Sequence, residues 1–466
     1  MTQKSLPAAP AKAFLVGIGG IGMSSLAQYL AHRGYQVSGS DRDLTTPSQQ
    51  RLFQKLSLQN IKVYPQDGSG PKEEQADFIV YSSAIEEDNP DFLAAGEIPR
   101  IHRSVALSEA IQNDQGKAIA VAGSSGKTST TAWVASALHA AGFQATVING
   151  GFIKEFRDET YPGNFYPGKD YIIFEADESD GSLVNYHSEV AILLNCGDDH
   201  HSKDKLHEMF KTFLGKSQKI VINEDLKEIA PQGTPLIAFA EGSANEQDTL
   251  FASDLSYTDN GLSFQLNATD RVQTAQWGKH NAYNALAVIA TLKHLGISSQ
   301  KAIDSVNSFR GVERRFDFKG RFDERAVYDD YAHNPQKIAA ALRTAQDIQP
   351  ETPLTAIFQP HGYGPLGFMR ESLKQEITAA LRPQDEFIFL PVFYAGGTTS
   401  FKPQAKEVAE EYSETLNCRY CDSREELADY LISLQRESLI LTLGARDPSL
   451  SDWSETLVEL KKAQSV

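Results

Sequence analysis

The segment Val121-Ala-Gly-Ser-Ser-Gly-Lys-Thr-Ser-Thr130 brings two glycines, a lysine and a run of hydroxyls together, a set suited to holding nucleotide phosphates. Gly123 and Gly126 let backbone N–H groups close on phosphate oxygens, Lys127 reaches the terminal phosphates, and Thr128 offers a hydroxyl to the Mg²⁺ that accompanies ATP. The loop is the short form G-x-x-G-K-T, because Val121 stands where the longer form has a further glycine. Alone, such a motif also describes a surface turn. Here the apolar lead-in Ala118-Ile-Ala-Val and the helix-forming Thr131-Ala-Trp-Val-Ala-Ser-Ala-Leu138 supply the strand and helix that a phosphate loop joins. We expect ATP or GTP to be bound through Gly123, Ser124, Ser125, Gly126, Lys127, Thr128 and Ser129.

Two acidic strand ends follow. Tyr171-Ile-Ile-Phe runs into Glu175, Asp177, Glu178 and Asp180, and Val190-Ala-Ile-Leu-Leu-Asn195 runs into Asp198, Asp199, His200 and His201. An isolated acidic cluster is usually a solvated turn. Two of them, each ending an apolar strand after a phosphate loop, read as the oxygen and nitrogen ligands of Mg²⁺.

Positioning these groups calls for parallel sheets. The first segment alternates strands (Ala13-Phe-Leu-Val, Tyr35-Gln-Val-Ser-Gly, Phe78-Ile-Val-Tyr) with a helix over Ser24 to His32, which predicts a parallel sheet with helices on both faces. Gly17-Ile-Gly-Gly-Ile-Gly22 directly follows the first strand and Asp41 closes the second, a dinucleotide fingerprint in form that serves NAD or any other pyrophosphate ligand. Gln112 to Lys117 reads as a linker, and Gly242 to Asn260 as a loop or a small antiparallel excursion. A third α/β segment begins near Gly311, with strands at Ala326-Val-Tyr, Leu354-Thr-Ala-Ile-Phe, Phe387-Ile-Phe-Leu and Leu439-Ile-Leu-Thr-Leu.

The chain has 466 residues, 41% hydrophobic and 23% charged, and no apolar run approaching the roughly 20 residues that cross a bilayer. Its start lacks a secretory pattern, so a cytoplasmic location is expected. A net charge of −17 disfavours nucleic acid and points to small-molecule substrates. Cys418 and Cys421 form a C-x-x-C pair, but with no second ligand pair and no thioredoxin context they read as strand and turn residues.

An ordered series of segments resembles the Mur ligases, the ATP-dependent amide-forming family of cell-wall synthesis, and most closely the branch that adds L-alanine to UDP-N-acetylmuramate. It comprises Gly17 to Met23, Val37 to Asp41, Ser82 to Pro90, Gly126-Lys-Thr128, Glu175 to Asp180, Asp199-His200, His280-Asn-Ala-Tyr-Asn284, Arg314 to Asp317, Asp329 to Tyr331 and Phe358 to His361. The resemblance implies an α/β fold of three domains: Rossmann-like (1–115), P-loop ATPase-like (116–311) and Rossmann-like again (312–466). It implies that Gly19, Gly20, Ile21, Gly22, Asp41, Ser82 and Ser83 hold a UDP-sugar, with Arg103 on its acyl arm. Lys127 and Thr128 would bind ATP phosphates and Mg²⁺, and Glu175 and His200 would complete a second metal site. Asn281 and Asn284 would contact the nucleotide, with Arg315 and Asp330 from the third domain completing its site.

The implied chemistry is coherent. A carboxylate is a poor electrophile, so ATP first converts it to an acyl phosphate, with Lys127 and two metal ions neutralising the transferring phosphoryl group. The amine then attacks, and His333 in Tyr331-Ala-His-Asn-Pro335 either positions it, accepts its proton, or is simply a structural histidine. Closure of the third domain would exclude water.

This chain departs from the alanine branch in places. Ser124 and Ser125 replace a Thr-His pair, Gly362, Pro365 and Gly367 stand in a stretch that commonly carries several arginines, and Tyr394-Ala-Gly-Gly-Thr398 replaces Tyr-Ala-Ala-Gly-Glu. The expected amino acid is therefore L-alanine by default, with a paralogue using another amino acid, a peptide or another nucleotide sugar as the alternative. An NAD-dependent oxidoreductase leaves Lys127, Glu175 and His200 without a role. Lys211 and Lys216 both lie where several branches carry a carbamoylated lysine. The oligomeric state is open between monomer and homodimer.

Overall fold

In the computed structural model, residues 5–114, 116–178, 181–197, 203–241, 249–258, 261–394, 402–434 and 437–460 are described. The chain divides into two compact units, Met1–Val312 and Glu313–Val466. The first unit contains two sheets and the second contains one.

The N-terminal sheet is wholly parallel, in the spatial order Lys62–Pro65, Gln36–Asp41, Lys12–Val16, Phe78–Tyr81, Arg100–His102. The order reverses between Lys12–Val16 and Phe78–Tyr81, the kind of crevice in which open α/β sheets bind ligands. The Gly17 loop and Ser82 leave the carboxyl ends of these two strands.

The central sheet has ten strands, and its middle runs Ser188–Leu193, Lys117–Ala122, Tyr171–Glu175, Ala145–Ile148, all parallel. Their continuous apolar runs suit strands covered on both faces, and Ile119, Val121, Ile173, Phe174, Ile192 and Leu193 are fully buried. The described part of the polar stretch, Thr249–Thr258, is a strand, extended antiparallel by Gly261–Leu266 and Asp270–Thr274. The expected linker is shorter than its composition suggested: Gln112 ends the helix Arg103–Gln112 and Lys117 opens the next strand.

The C-terminal sheet has six strands, in the order Asp317–Phe322, Arg325–Asp330, Leu439–Leu443, Leu354–Phe358, Glu386–Phe389, Cys418–Tyr420. Only the first is antiparallel. In Tyr331-Ala-His-Asn-Pro335, the last two residues start a helix: the Asn334 side chain accepts the Lys337 N–H and Pro335 opens Pro335–Ile348. Cys418 and Cys421 are free, and burial raises their thiols to about 12 and about 11, which keeps both as neutral thiols at pH 7. Among the described residues, no helix is long and apolar enough to cross a membrane.

Candidate active site

The phosphate loop joins the strand Lys117–Ala122 to the helix Lys127–Ala140. Gly126 has φ +85°, in the left-handed region that glycine enters without strain, and a Cβ there would lie 2.9 Å from Asn284 Oδ1. Asn195, beyond the end of the neighbouring strand, holds the loop in shape: its Oδ1 accepts the Ser125 N–H (2.9 Å) and its Nδ2 donates to the Ser125 carbonyl (3.0 Å). Ser124 Oγ accepts the Gly197 N–H at 2.8 Å. Ser129 lies in the first turn of the helix.

Lys127 does not extend freely from the loop. Its ammonium donates to the Gly123 carbonyl (2.7 Å) and to both oxygens of Glu178 (3.1 and 2.8 Å), with Asp177 at 3.9 Å. Glu178 has only 2% of its side chain exposed, so this is a buried ion pair. Sequence reasoning had grouped Glu178 with the metal-binding acids, and the structure gives it to the lysine. Glu175 instead lies against the loop: Thr128 Oγ1 donates to its Oε2 at 3.0 Å, and the Gly150 N–H donates to its Oε1 at 2.5 Å. The register explains the meeting, since Glu175 pairs with Val121, just before the loop. Asp180, Asp198, Asp199, His200 and His201 lie outside the described residues; no group of three or more potential metal ligands occurs among the described ones.

Asn281 and Asn284 occupy the first turns of the helix His280–His294, both buried, with Asn284 Nδ2 donating to Asn281 Oδ1 (2.9 Å). The approach of Asn284 to Gly126 places this pair against the loop.

In the N-terminal sheet the Gly19 N–H donates to Asp41 Oδ2 at 2.8 Å, and the Asp43 N–H donates to Asp41 Oδ1. Asp41 therefore shapes the glycine loop; burial raises its carboxyl pKa and these N–H groups pull it back. Gly20 is the N-cap of the helix Ile21–His32, so Ile21 and Gly22 form its first turn. Ser82 is half-buried and Ser83 exposed in the turn after Phe78–Tyr81.

Arg103 lies against Gly22, where a Cβ would come within 2.8 Å of Nη1, and its Nη2 is 3.7 Å from Asp177. One cavity of about 190 Å³ is bounded by Gly22, Ser25, Arg103, Asn149, Glu175 and Asp177. It brings the two expected ligand sites to a common space. Asn149 is a site residue that the sequence did not disclose: it is 1% exposed, lines this cavity, and its Oδ1 is buried without a hydrogen-bond partner. The two sheets are tied together beside it, because Asn164 Nδ2 donates to the Ile21 carbonyl and to Ser24 Oγ while Gln28 donates to Asn164 Oδ1.

In the second unit, Arg315 lies over the Tyr331 ring (5.2 Å). The Asp330 carboxylate accepts the N–H groups of Phe316 and Ala332, each at 2.7 Å. Burial pushes Asp330 up to about 6, opposed by Arg315 and the two N–H groups. The folded state then holds more protons than the unfolded one between about pH 4 and 6, so this group lowers stability as pH rises through that window, by on the order of 2 kcal/mol. Asp330→Asn should flatten that component, read as amide exchange in Arg325–Asp330 across pH 4 to 7; identical profiles for the two proteins would refute the assignment. His333 Nδ1 lies 3.0 Å from the Tyr331 carbonyl, and its ring meets His361 edge to face at 5.1 Å.

Three family models match most of the chain: "Mur ligase family, catalytic domain" over 14–115, "Mur ligase middle domain" over 121–292 and "Mur ligase, glutamate ligase domain" over 314–446. A UDP-N-acetylmuramate–L-alanine ligase of Aquifex aeolicus (strain VF5) is 31% identical over 465 residues, covering 96% of this chain and 97% of that one. The chain belongs to the Mur ligase family. The UDP-N-acetylmuramate–L-alanine ligase of Sulfurihydrogenibium sp. (strain YO3AOP1) is 32% identical, with 96% and 97% coverage. Among solved structures, the UDP-N-acetylmuramate–alanine ligase of Thermotoga maritima shares the fold with a TM-score of 0.80 at 24% identity, covering 97% of this chain and 100% of that one. The murein peptide ligase of Psychrobacter arcticus 273-4 follows with a TM-score of 0.69 at 22% identity, covering 96% and 98%. As a Mur ligase, this chain is an ATP-dependent acid–amino-acid ligase.

Proposed function

We propose that this Mur ligase joins an amino acid, L-alanine by default, to the carboxylate of UDP-N-acetylmuramate with cleavage of ATP, in the cytoplasmic supply of peptidoglycan precursors. The observation that carries the reading is the single cavity where Arg103 and Gly22, from the glycine-loop side, meet Glu175 and Asn149, from the phosphate-loop side. A carboxylate arriving past Arg103 would meet the terminal phosphate of a nucleotide held at 123–128. The division into 1–115, 116–311 and 312–466 assigns one substrate to each domain.

Each residue then has a task. Gly19, Gly20, Ile21 and Gly22, held by Asp41, present N–H groups to the pyrophosphate, and Ser82 and Ser83 flank it across the crevice. Arg103 orients the carboxylate. Lys127 exchanges Glu178 for the phosphates and neutralises the charge that spreads during transfer. Thr128 and Glu175 present hard oxygens 3.0 Å apart, a donor pair that fits Mg²⁺, with His200 as a further ligand. Bound there, Mg²⁺ supplies charge neutralisation for the phosphoryl oxygens. Asn281 and Asn284 support the loop and the nucleotide, Arg315 and Asp330 complete its site, and His333 positions the amine or takes its proton.

The alternative, a paralogue with another amino acid, draws on one feature: the helix Tyr363–Ala380 begins beside Gly362 and Pro365 and has no cation before Arg370. Incubation with ATP, Mg²⁺ and UDP-N-acetylmuramate against each amino acid in turn, read by phosphate release and product mass, should give a product heavier by one amino acid residue. Absence of substrate-dependent phosphate with every pair would sink the reading.

A further inference from the structure

An amino acid that enters as nucleophile carries a carboxylate, which needs a cation once it leaves water. In the second unit three adjacent parallel strands end level: Asp330 pairs with Leu443, and Leu443 with Phe358. Three residues beyond each of these register partners stand His333, Arg446 and His361. The carboxyl edge of the sheet therefore gathers two imidazoles, 5.1 Å apart, around the loop that carries one guanidinium.

Arg314, Arg424 and Arg370 have partners, the first two of them on that loop, and Arg315 lies over the Tyr331 ring. Arg314 donates to the carbonyls of Gly444 (2.5 Å), Ala445 (2.9 Å) and Asp447 (3.3 Å) and pairs with Asp329. Arg424 donates to Asp447 Oδ2 (2.5 Å) and to Gln359 Oε1 (2.9 Å). Arg370, the first cation after His361, pairs with Glu411. Arg446 is different: it is exposed and has no hydrogen bond or ion pair among the described residues, while Arg314 holds the backbone carbonyls on either side of it and Arg424 holds the Asp447 carboxylate.

His361 Nδ1 is buried without a hydrogen-bond partner. Burial first, then His333 and the charge of Arg446, lower His361 to about 4, so its ring is neutral at pH 7 and leaves an anion to the arginine.

We propose that Arg446 binds the α-carboxylate of the incoming amino acid, at the strand edge where His333 and His361 face each other. The proposal rests on the amide-ligase reading above and names the group that recognises its amino acid.

The test uses the full chain and the amino acid selected by the activity screen, together with that amino acid's carboxamide, which has the amine but no carboxylate charge. Arg446→Gln should raise KM for the amino acid about 10- to 100-fold, the range expected for a charge-assisted hydrogen bond. KM for ATP and for the UDP-sugar should stay within about twofold, and the preference for the acid over its carboxamide should collapse toward unity. Arg446→Lys should recover part of that preference. Turnover with an unchanged amino-acid KM overturns the proposal alone, as does an equal rise in KM for all three substrates, which marks a structural effect. Failure of the unaltered enzyme to turn over any amino acid overturns the ligase reading and the proposal with it.

Discussion

Lys127→Ala will cut amide formation by about 10³-fold or more in kcat while leaving the affinity for UDP-N-acetylmuramate within about threefold. The first half follows from phosphoryl transfer, in which catalysis is mostly positioning and charge neutralisation, so a missing cation acts directly on the transition state. The second follows from separation within the first unit: the glycine loop is shaped by Asp41 through the Gly19 and Asp43 N–H groups, none of which touches Lys127. A stability effect is also expected. Truncation leaves Glu178, 2% exposed, without its cation, and breaking a buried pair from one side costs about 3–5 kcal/mol. The double variant Lys127→Ala/Glu178→Gln removes the stranded charge, so its denaturation midpoint should recover toward that of the parent while turnover stays absent. Single-turnover phosphate release and equilibrium binding of the UDP-sugar separate the cases. Loss of UDP-sugar binding together with turnover would contradict the assignment of the two ligands to separate elements.

Trp133→Ala will lower the stability of the first unit by about 3–5 kcal/mol, the range for emptying a buried aromatic site. Trp133 lies on the helix that the phosphate loop opens, is fully buried, stacks on Phe309 with ring centroids 5.0 Å apart, and donates its indole N–H to the Val306 carbonyl at 3.0 Å. Truncation opens a cavity and removes the indole donor from that carbonyl, leaving it only the longer bond from the Phe309 N–H (3.5 Å). Trp133→Phe keeps most of the volume and loses only the hydrogen bond, so its cost should be well under half as large. Nucleotide affinity, measured well below the unfolding transition, should change less than about tenfold, because Gly123 to Thr128 keep Asn195, Asn284 and Glu175 as partners. A midpoint in urea equal to the parent's would show that the Trp133 contact does not stabilise the unit.

Much of this site is local enough to be read from the chain. The phosphate loop is contiguous, and its glycines, lysine and threonine are required in order by the geometry of a strand–turn–helix junction. Strands such as Tyr171–Glu175, Leu354–Phe358 and Leu439–Leu443 announce themselves as uninterrupted apolar runs because both faces are covered. Boundaries were less legible. The helix after the loop begins at Lys127, not at Thr131, because Gly126 in the left-handed region lets the turn start at once. The strand expected over 35–39 runs Gln36–Asp41, and its last residue is half-buried because Asp41 bonds the glycine loop.

Partnership between distant residues was not legible. Lys127 and Glu178 are separated by 51 positions, and whether Glu175, Asp177 or Glu178 faces the lysine depends on how the chain turns after Tyr171–Glu175. Asn149 gave no motif at all; it matters because the strand Ala145–Ile148 ends at the same cavity as Arg103 and Glu175. The C-x-x-C pair shows the reverse, a motif whose two thiols burial keeps neutral.

By itself, then, the sequence determined the nucleotide-phosphate loop, the parallel α/β segments and membership of an amide-forming family, because each is written in neighbouring residues or in their period. Only the tertiary structure decided that Lys127 is paired with Glu178, that Arg103 and Glu175 face one cavity, and that Arg446 has no partner among the described residues where three strands end together. The register of parallel strands sets such meetings, and parallel pairing joins residues whose separation along the chain carries no local signal.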